Sequence, residues 1–242
     1  LQITATHRVN SLTDAFFGAL QLILSADKTL LSIIGLSLQV SVTAVALASV
    51  LGLALGSLIA VSRFRGRGLV IAILNATMGL PPVVIGLLVY LLLSRAGPLG
   101  AYGLLFTPTA MVIAQVILIT PIIAALSRQT IEDAWREYRE QLASLGVRGA
   151  SAARTLVWDS RFSLVTITLA GLGRACAEVG AVMIVGGNID GVTRVMTTAI
   201  ALETTKGDLP LAMSLGIVLV LIVLAINILA QSLKSFAERR YG

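Results

Sequence analysis

Histidine and cysteine are nearly missing from this chain of 242 residues: His7 and Cys176 stand alone. One cysteine permits no internal disulfide, and one histidine rules out a histidine-rich metal site. No G-x-x-x-x-G-K-[ST] phosphate loop and no H-E-x-x-H zinc motif occurs. The lone histidine lies near the N-terminus, and no serine within an apolar run has an evident base beside it. The nucleophile–base pair or metal set that an intramembrane enzyme needs is therefore lacking. Charge is scarce as well, at 12% of residues, and aromatic residues make up 5%.

Apolar residues fill the space, at 57% of the chain with a mean hydropathy of +0.94. Runs longer than about 18 apolar residues read as membrane helices. Five are expected, at 30–61, 69–93, 109–126, 163–185 and 211–233. The fold class is an all-α integral membrane protein. It divides into an N-terminal segment, 1–28, and a membrane domain, 29–242. Residues 1–10 are polar, and no short apolar stretch with a small-residue cleavage site follows them, so no cleavable signal is expected. A leucine at position 1 suggests an incomplete or unusual start.

Within 11–26, Leu12, Phe16, Phe17, Leu20, Ile23 and Leu24 share one helical face. The apolar core of this stretch is too short to cross a layer of about 30 Å. It reads as an amphipathic helix lying on the membrane surface or packed on the protein's own flank. The first span carries small residues suited to close helix contact, among them Ser41, Thr43, Gly52, Gly56 and Ser57. The second is interrupted by Gly79, Leu80, Pro81 and Pro82. Two prolines remove two backbone donors and bend a helix. In lipid, such a break survives where protein or a watery cavity satisfies the freed carbonyls. Pro81 and Pro82 thus mark a pathway element or a packing kink. The stretch 189–210 reads as a polar loop.

One run departs from all this. Residues 128–161 hold eleven of the thirty charged residues, six arginines and five acids. A charge at the centre of a bilayer costs roughly 2.5–3.5 kcal/mol on the most lenient scale, so the run must stand in water between spans. Its pattern is helical, with a break at Gly146. The basic balance of +6 does not imply nucleic acid; it sets orientation. One side of the predicted topology holds twelve Lys and Arg, the other five, and Arg174 lies within a span. The charged run and the C-terminus are expected in the cytoplasm, and the N-terminus outside.

Residues 140–146 (EQLASLG) share the skeleton of the EAA loop: Glu, two usually small residues, three free positions, then Gly. In this respect the chain resembles the permease subunits of ATP-binding-cassette importers. Gln141 and Leu142 replace the usual alanine pair, and residues 156–159 (LVWD) stand where Ile-x-Leu-Pro is usual. Longer strings narrow the resemblance. Residues 78–90 (MGLPPVVIGLLVY) and 94–100 (SRAGPLG) are similar to oxyanion permeases of the molybdate, tungstate and sulfate group. Residues 173–188 (GRACAEVGAVMIVGGN) and 193–203 (TRVMTTAIALE) look like the tungstate-specific branch.

The resemblance implies a type I importer architecture: a homodimer of permeases in the bilayer, two cytoplasmic ATPases and a separate oxyanion-binding protein outside. ATP and magnesium would sit on the ATPase, with no cofactor on this chain. Glu140, Gln141, Leu142, Ala143, Ser144, Leu145, Gly146, Val147 and Arg148 are then the expected coupling residues, with Ala143, Leu145 and Val147 as an apolar knob between Glu140 and Arg148. Arg174 and Glu178, four apart in the fourth span, are an ion pair that helps the helix insert, or a pathway cation held by its acid. Asp190, Arg194, Lys206 and Asp208 are candidates for docking the binding protein, or the charges of a solvated loop.

Overall fold

The computed structural model describes residues 12–25, 27–147 and 149–241. The polar segment 1–11 and Arg148 lie outside the described residues. Every regular element among the described residues is helical, in keeping with the composition.

Helix α1, Leu12–Leu24, rests on the start of the last helix. Ala19 is buried there, and a Cβ on Gly18 would stand 3.0 Å from Pro210. Phe16, Phe17, Leu20 and Leu24 face outward, so one short helix packs on the protein and still presents an apolar face to its surroundings. Helix α2, Lys28–Val61, starts at Asp27, whose carboxylate accepts from the amides of Thr29 and Leu30 at 2.9 and 3.0 Å. Such a cap satisfies donors that the first turn leaves without partners.

Helix α5, Pro108–Ser144, is the spine. The third expected span and the first half of the charged run are one continuous helix of 37 residues, about 55 Å at 1.5 Å per residue. Nothing between Leu126 and Ser144 breaks a helix, and Pro121 is accommodated inside it. Helices α2 and α5 pack closely because glycines allow it. A Cβ at Gly52 would stand 2.9 Å from Ile123. At Gly56 it would stand 2.9 Å from the amide of Arg128, and closer still to Ser127 Oγ and the Ala124 carbonyl. Two glycines four apart form the small-residue seam that membrane helices use in place of a hydrophobic driving force.

The second expected span is two helices, α3, Arg67–Met78, and α4, Pro82–Leu93, bent by 97°. Pro82 occupies the first turn of α4, where its missing N–H costs nothing. After the charged hairpin helix α6, Ala150–Asp159, the fourth expected span is also broken, into α7, Arg161–Cys176, and α8, Gly180–Gly186, at 59°. Among the described residues, three helices are long and apolar enough to cross a membrane, or up to five spans if each bent pair counts as one.

The expectation of a polar loop at 189–210 is corrected. It contains helix α9, Met196–Lys206, with Met196, Thr197, Thr198, Ala199 and Glu203 buried. Its apolar run, 199–202, is short and flanked by threonine pairs, so composition hides a helix whose inner face is partly polar. Ser37 of α2 accepts from the Met196 amide at 2.6 Å and ties its start to the core. Helix α10, Leu209–Tyr241, closes the chain and leaves Val220, Leu221, Leu224, Ile228 and Leu229 exposed.

Candidate coupling loop and broken-helix site

Helix α5 ends in a hydrogen-bonded turn. The Val147 amide donates to Leu142 O at 2.9 Å and the Gly146 amide to Ala143 O at 3.1 Å. These are the two bonds of a Schellman stop, with its glycine in the left-handed region. Gly146 has φ +73°, a conformation that a Cβ resists. Leu142 and Val147 pack together beneath the turn, on Ile131, Ala152 and Leu156. Gly149, at φ +59°, then starts α6, which folds back with Ala152, Ala153 and Leu156 buried.

The result is a rigid helix–turn–helix. Outward from it project Gln141, Ala143, Ser144, Leu145 (76% exposed) and Glu140, whose side chain is 87% exposed. Leu145 and Ala143 form the tip, whereas Val147, expected in the knob, is turned inward. Beside the tip, Tyr138, Gln141, Leu145, Thr155 and Asp159 line a cavity of about 240 Å³. Arg161 stacks on Trp158 and Phe162 at 5.1 and 4.7 Å.

The shaft of α5 is held to the membrane helices by Glu132, which sits in the charged stretch beyond Leu126, outside the hydrocarbon. Its carboxylate meets Arg67 and Arg136 at 3.2 Å each, and Arg128 as well. Burial would raise its pKa, but the Arg67, Arg128 and Arg136 charges outweigh burial and hold it below the ordinary carboxylate value. Arg67 also donates to the α2 carbonyls of Ile59, at 3.0 Å, and Ala60, at 3.4 Å. This cation thereby caps the end of α2. The sequence reading missed this clamp, because its members lie 65 positions apart.

At the opposite part of the fold the two broken spans cross. A Cβ on Gly86 of α4 would come within 2.7 Å of Ala181 Cα, and one on Gly180 within 2.8 Å of Val83. The break between α7 and α8 frees backbone carbonyls, and the protein answers them. Gln115 of α5 donates to Ala175 O at 3.1 Å, and Thr197 of α9 to Glu178 O at 2.8 Å. Irregular backbone at membrane depth is sustained by such partners. Gln115 was not singled out beforehand, although a lone amide in the apolar run 109–126 was the available signal.

Glu178 lies in the break itself. One oxygen accepts from the Ala181 amide at 3.2 Å, and the other meets Arg174 Nη1 at 2.8 Å. The acid is 5% exposed and the arginine 44%. The pair expected on one unbroken helix thus forms across a bend, with its cation presented at the surface of this single chain. Pro81 and Pro82 form the other break, with Leu80 half-exposed beside them.

The four docking candidates differ. Asp190 is 72% exposed and pairs at 3.0 Å with Arg194, which is 15% exposed. Lys206 is half-exposed and pairs with buried Glu203 at 2.9 Å. Asp208 accepts from the Leu211 amide at 3.2 Å and caps α10. Arg194 is therefore largely committed to internal structure, and Asp190, Lys206 and Asp208 are the charges offered outward. Among the described residues, no group of His, Cys, Asp and Glu could hold a metal ion.

Comparison with known proteins gives this geometry a family. The chain is 39% identical over 218 residues to a probable anion ABC transporter permease protein of Haloferax volcanii, covering 88% of this chain and 94% of that protein. It is 40% identical over 223 residues to the tungstate uptake system permease protein TupB of Peptoclostridium acidaminophilum, covering 92% and 98%. With the corresponding protein of Campylobacter jejuni it shares 37% over 221 residues, covering 91% and 92%. Residues 52–242 match the family described as binding-protein-dependent transport system inner membrane component. Long apolar helices, two broken spans and an outward helix–turn–helix meet in a chain that belongs to this family, the membrane-embedded transport components of ABC importers.

Proposed function

We propose that this chain is the permease subunit of an ATP-driven tungstate importer, acting as a homodimer above two ATPases and beneath an oxyanion-binding protein. The observation that carries the cargo is the 40% identity, over 92% of this chain, to a tungstate uptake permease. The geometry supplies the parts. The tip at Glu140–Val147 is a rigid knob on a long helix, suited to transmit motion from an ATPase to the membrane. ATP closes the two ATPases and draws the two tips together, so the dimer opens outward. The anion enters, and hydrolysis returns the dimer to the inward state.

The broken spans supply the pathway element. Helices interrupted at mid-membrane hinge where continuous ones do not, and Arg174 offers a cation to a dianion while Glu178 keeps it in place. A fully exposed cation would trap the cargo, and its acid moderates that. Asp190, Lys206 and Asp208 receive the binding protein, and the twelve-to-five asymmetry of Lys and Arg supports a cytoplasmic knob and C-terminus. The test is ATP hydrolysis in proteoliposomes holding this chain, its ATPase and its binding protein loaded in turn with tungstate, molybdate or sulfate. Strongest stimulation by tungstate is expected. Equal silence with all three, from an assembled complex, would discard the cargo and leave the importer.

A further inference from the structure

A second arginine cluster has no part in this cycle. Where α2 ends and α3 begins against α5, a cavity of about 190 Å³ is lined by Arg63, Arg67, Arg136, Arg139, Glu132 and Trp135. Four cations face one acid, an excess of three positive charges. The acid is already spent, because Glu132 is shared by Arg67, Arg136 and Arg128. Asp133 and Glu140 approach Arg136 and Arg139 only at 3.9 Å, from exposed positions. The cavity is built rather than incidental: two α2 carbonyls and Glu132 hold the Arg67 guanidinium.

Its setting identifies the ligand. Arg67 opens α3, a helix with no buried residue, and Leu69, Val70 and Ile73 lie exposed on its next turns, with Phe64 exposed just before it. A concave basic site thus stands at the foot of an outward apolar surface, with a tryptophan in its wall, as at a membrane–water boundary. The volume is below the roughly 300–1,000 Å³ of sites for drug-sized ligands, which fits a single tetrahedral oxyanion. The preference for arginine on the cytoplasmic side explains how many arginines are here, but not why four surround one cavity while Arg65, in the same run, lies outside the lining.

We propose that this cavity binds the phosphate headgroup of an anionic membrane lipid, whose acyl chains lie along the exposed face of α3. The lipid pins the end of α2 to the shaft of α5, the segment that leads to the knob. Arg63 and Arg139 are free of the Glu132 clamp, so they can be changed without dismantling it. The experiment titrates phosphatidylglycerol, and phosphatidylcholine as control, into the delipidated full chain in detergent, following bound lipid by native mass spectrometry.

R63Q/R139Q is expected to bind phosphatidylglycerol about twenty- to thirtyfold more weakly, from the usual contribution of each cation at a membrane surface, with its lipid-free melting temperature unchanged. The charge-matched R65Q/R154Q is expected to stay within about threefold of wild type. Equal loss in both pairs would overturn the site in favour of diffuse attraction. Equal binding of phosphatidylcholine would overturn it too. Displacement of the lipid by millimolar inorganic phosphate or tungstate would reassign the cavity to a free oxyanion and refute the lipid.

Discussion

Gly146→Val tests the knob through its backbone alone. No atom lies within 4 Å of where a Cβ at this position would sit, so the substitution meets no clash. What it meets is φ +73°. A residue with a Cβ pays about 1–2 kcal/mol to stay left-handed, and a β-branched one lies at the upper end. If the turn instead opens, it forfeits the 2.9 and 3.1 Å bonds to Leu142 and Ala143, each worth about 1 kcal/mol net. Each route costs about 2 kcal/mol, so a closed turn favoured roughly thirtyfold over the open one in the wild type becomes about equal to it in the variant, and about half of the knobs keep their shape. The cost is local, because Ile131, Leu142, Ala152 and Leu156 still hold α5 to α6.

The variant should therefore insert and melt close to wild type, yet bind its ATPase about twofold more weakly per knob, and about fourfold more weakly where a dimer needs both, in a titration on nanodiscs. Asn tolerates the left-handed region, so Gly146→Asn should recover most of the binding. Wild-type ATPase affinity in Gly146→Val would refute the docking role of the turn. A Gly146→Asn as poor as the valine would show that side-chain bulk at the interface, and not φ, decides.

Three further outcomes follow from the packing. Gly56→Leu should prevent close approach of α2 and α5, since even a Cβ collides with Ser127 and the Ala124 carbonyl; loss of monodisperse protein on size exclusion is expected, and normal folding would contradict the seam. Arg174→Ala leaves Glu178 buried without its cation, which costs about 3–5 kcal/mol, so its melting temperature should fall further than that of Arg174→Ala/Glu178→Gln; equal melting would mean the acid is not dependent on this partner. Gln115→Leu removes one of the donors to Ala175 O, which still accepts from the Glu178 amide at 3.2 Å, and should cost about 0.5–1.5 kcal/mol as one hydrogen bond lost, read as a lowered melting temperature; an unchanged melting temperature would mean that the Glu178 amide alone satisfies that carbonyl.

The turn at the end of α5 was legible, because it rests on local rules, whereas the inward turn of Val147 was not. A glycine six positions after Glu140 on a helix without earlier breakers marks a helix stop, and the structure has the stop there. The Arg174–Glu178 pair was legible from spacing, although the bend between α7 and α8 was not. Helix α9 was hidden, because Thr197, Thr198 and Glu203 share its buried face with Met196 and Ala199, and such a mixture reads as loop in a polarity scan.

That this is a helical membrane protein with one charged segment follows from residue order, since hydropathy and the cost of burying charge depend on composition along the chain. Where α5 stops was determined there too, since a turn is a property of neighbouring residues. Tertiary structure alone decided that Glu132 clamps Arg67, that Gln115 and Thr197 satisfy the broken helix, and that Arg63, Arg67, Arg136 and Arg139 surround one cavity. Those partners come from different helices, and only the crossing of α2, α3, α5 and α9 in space brings them within bonding distance.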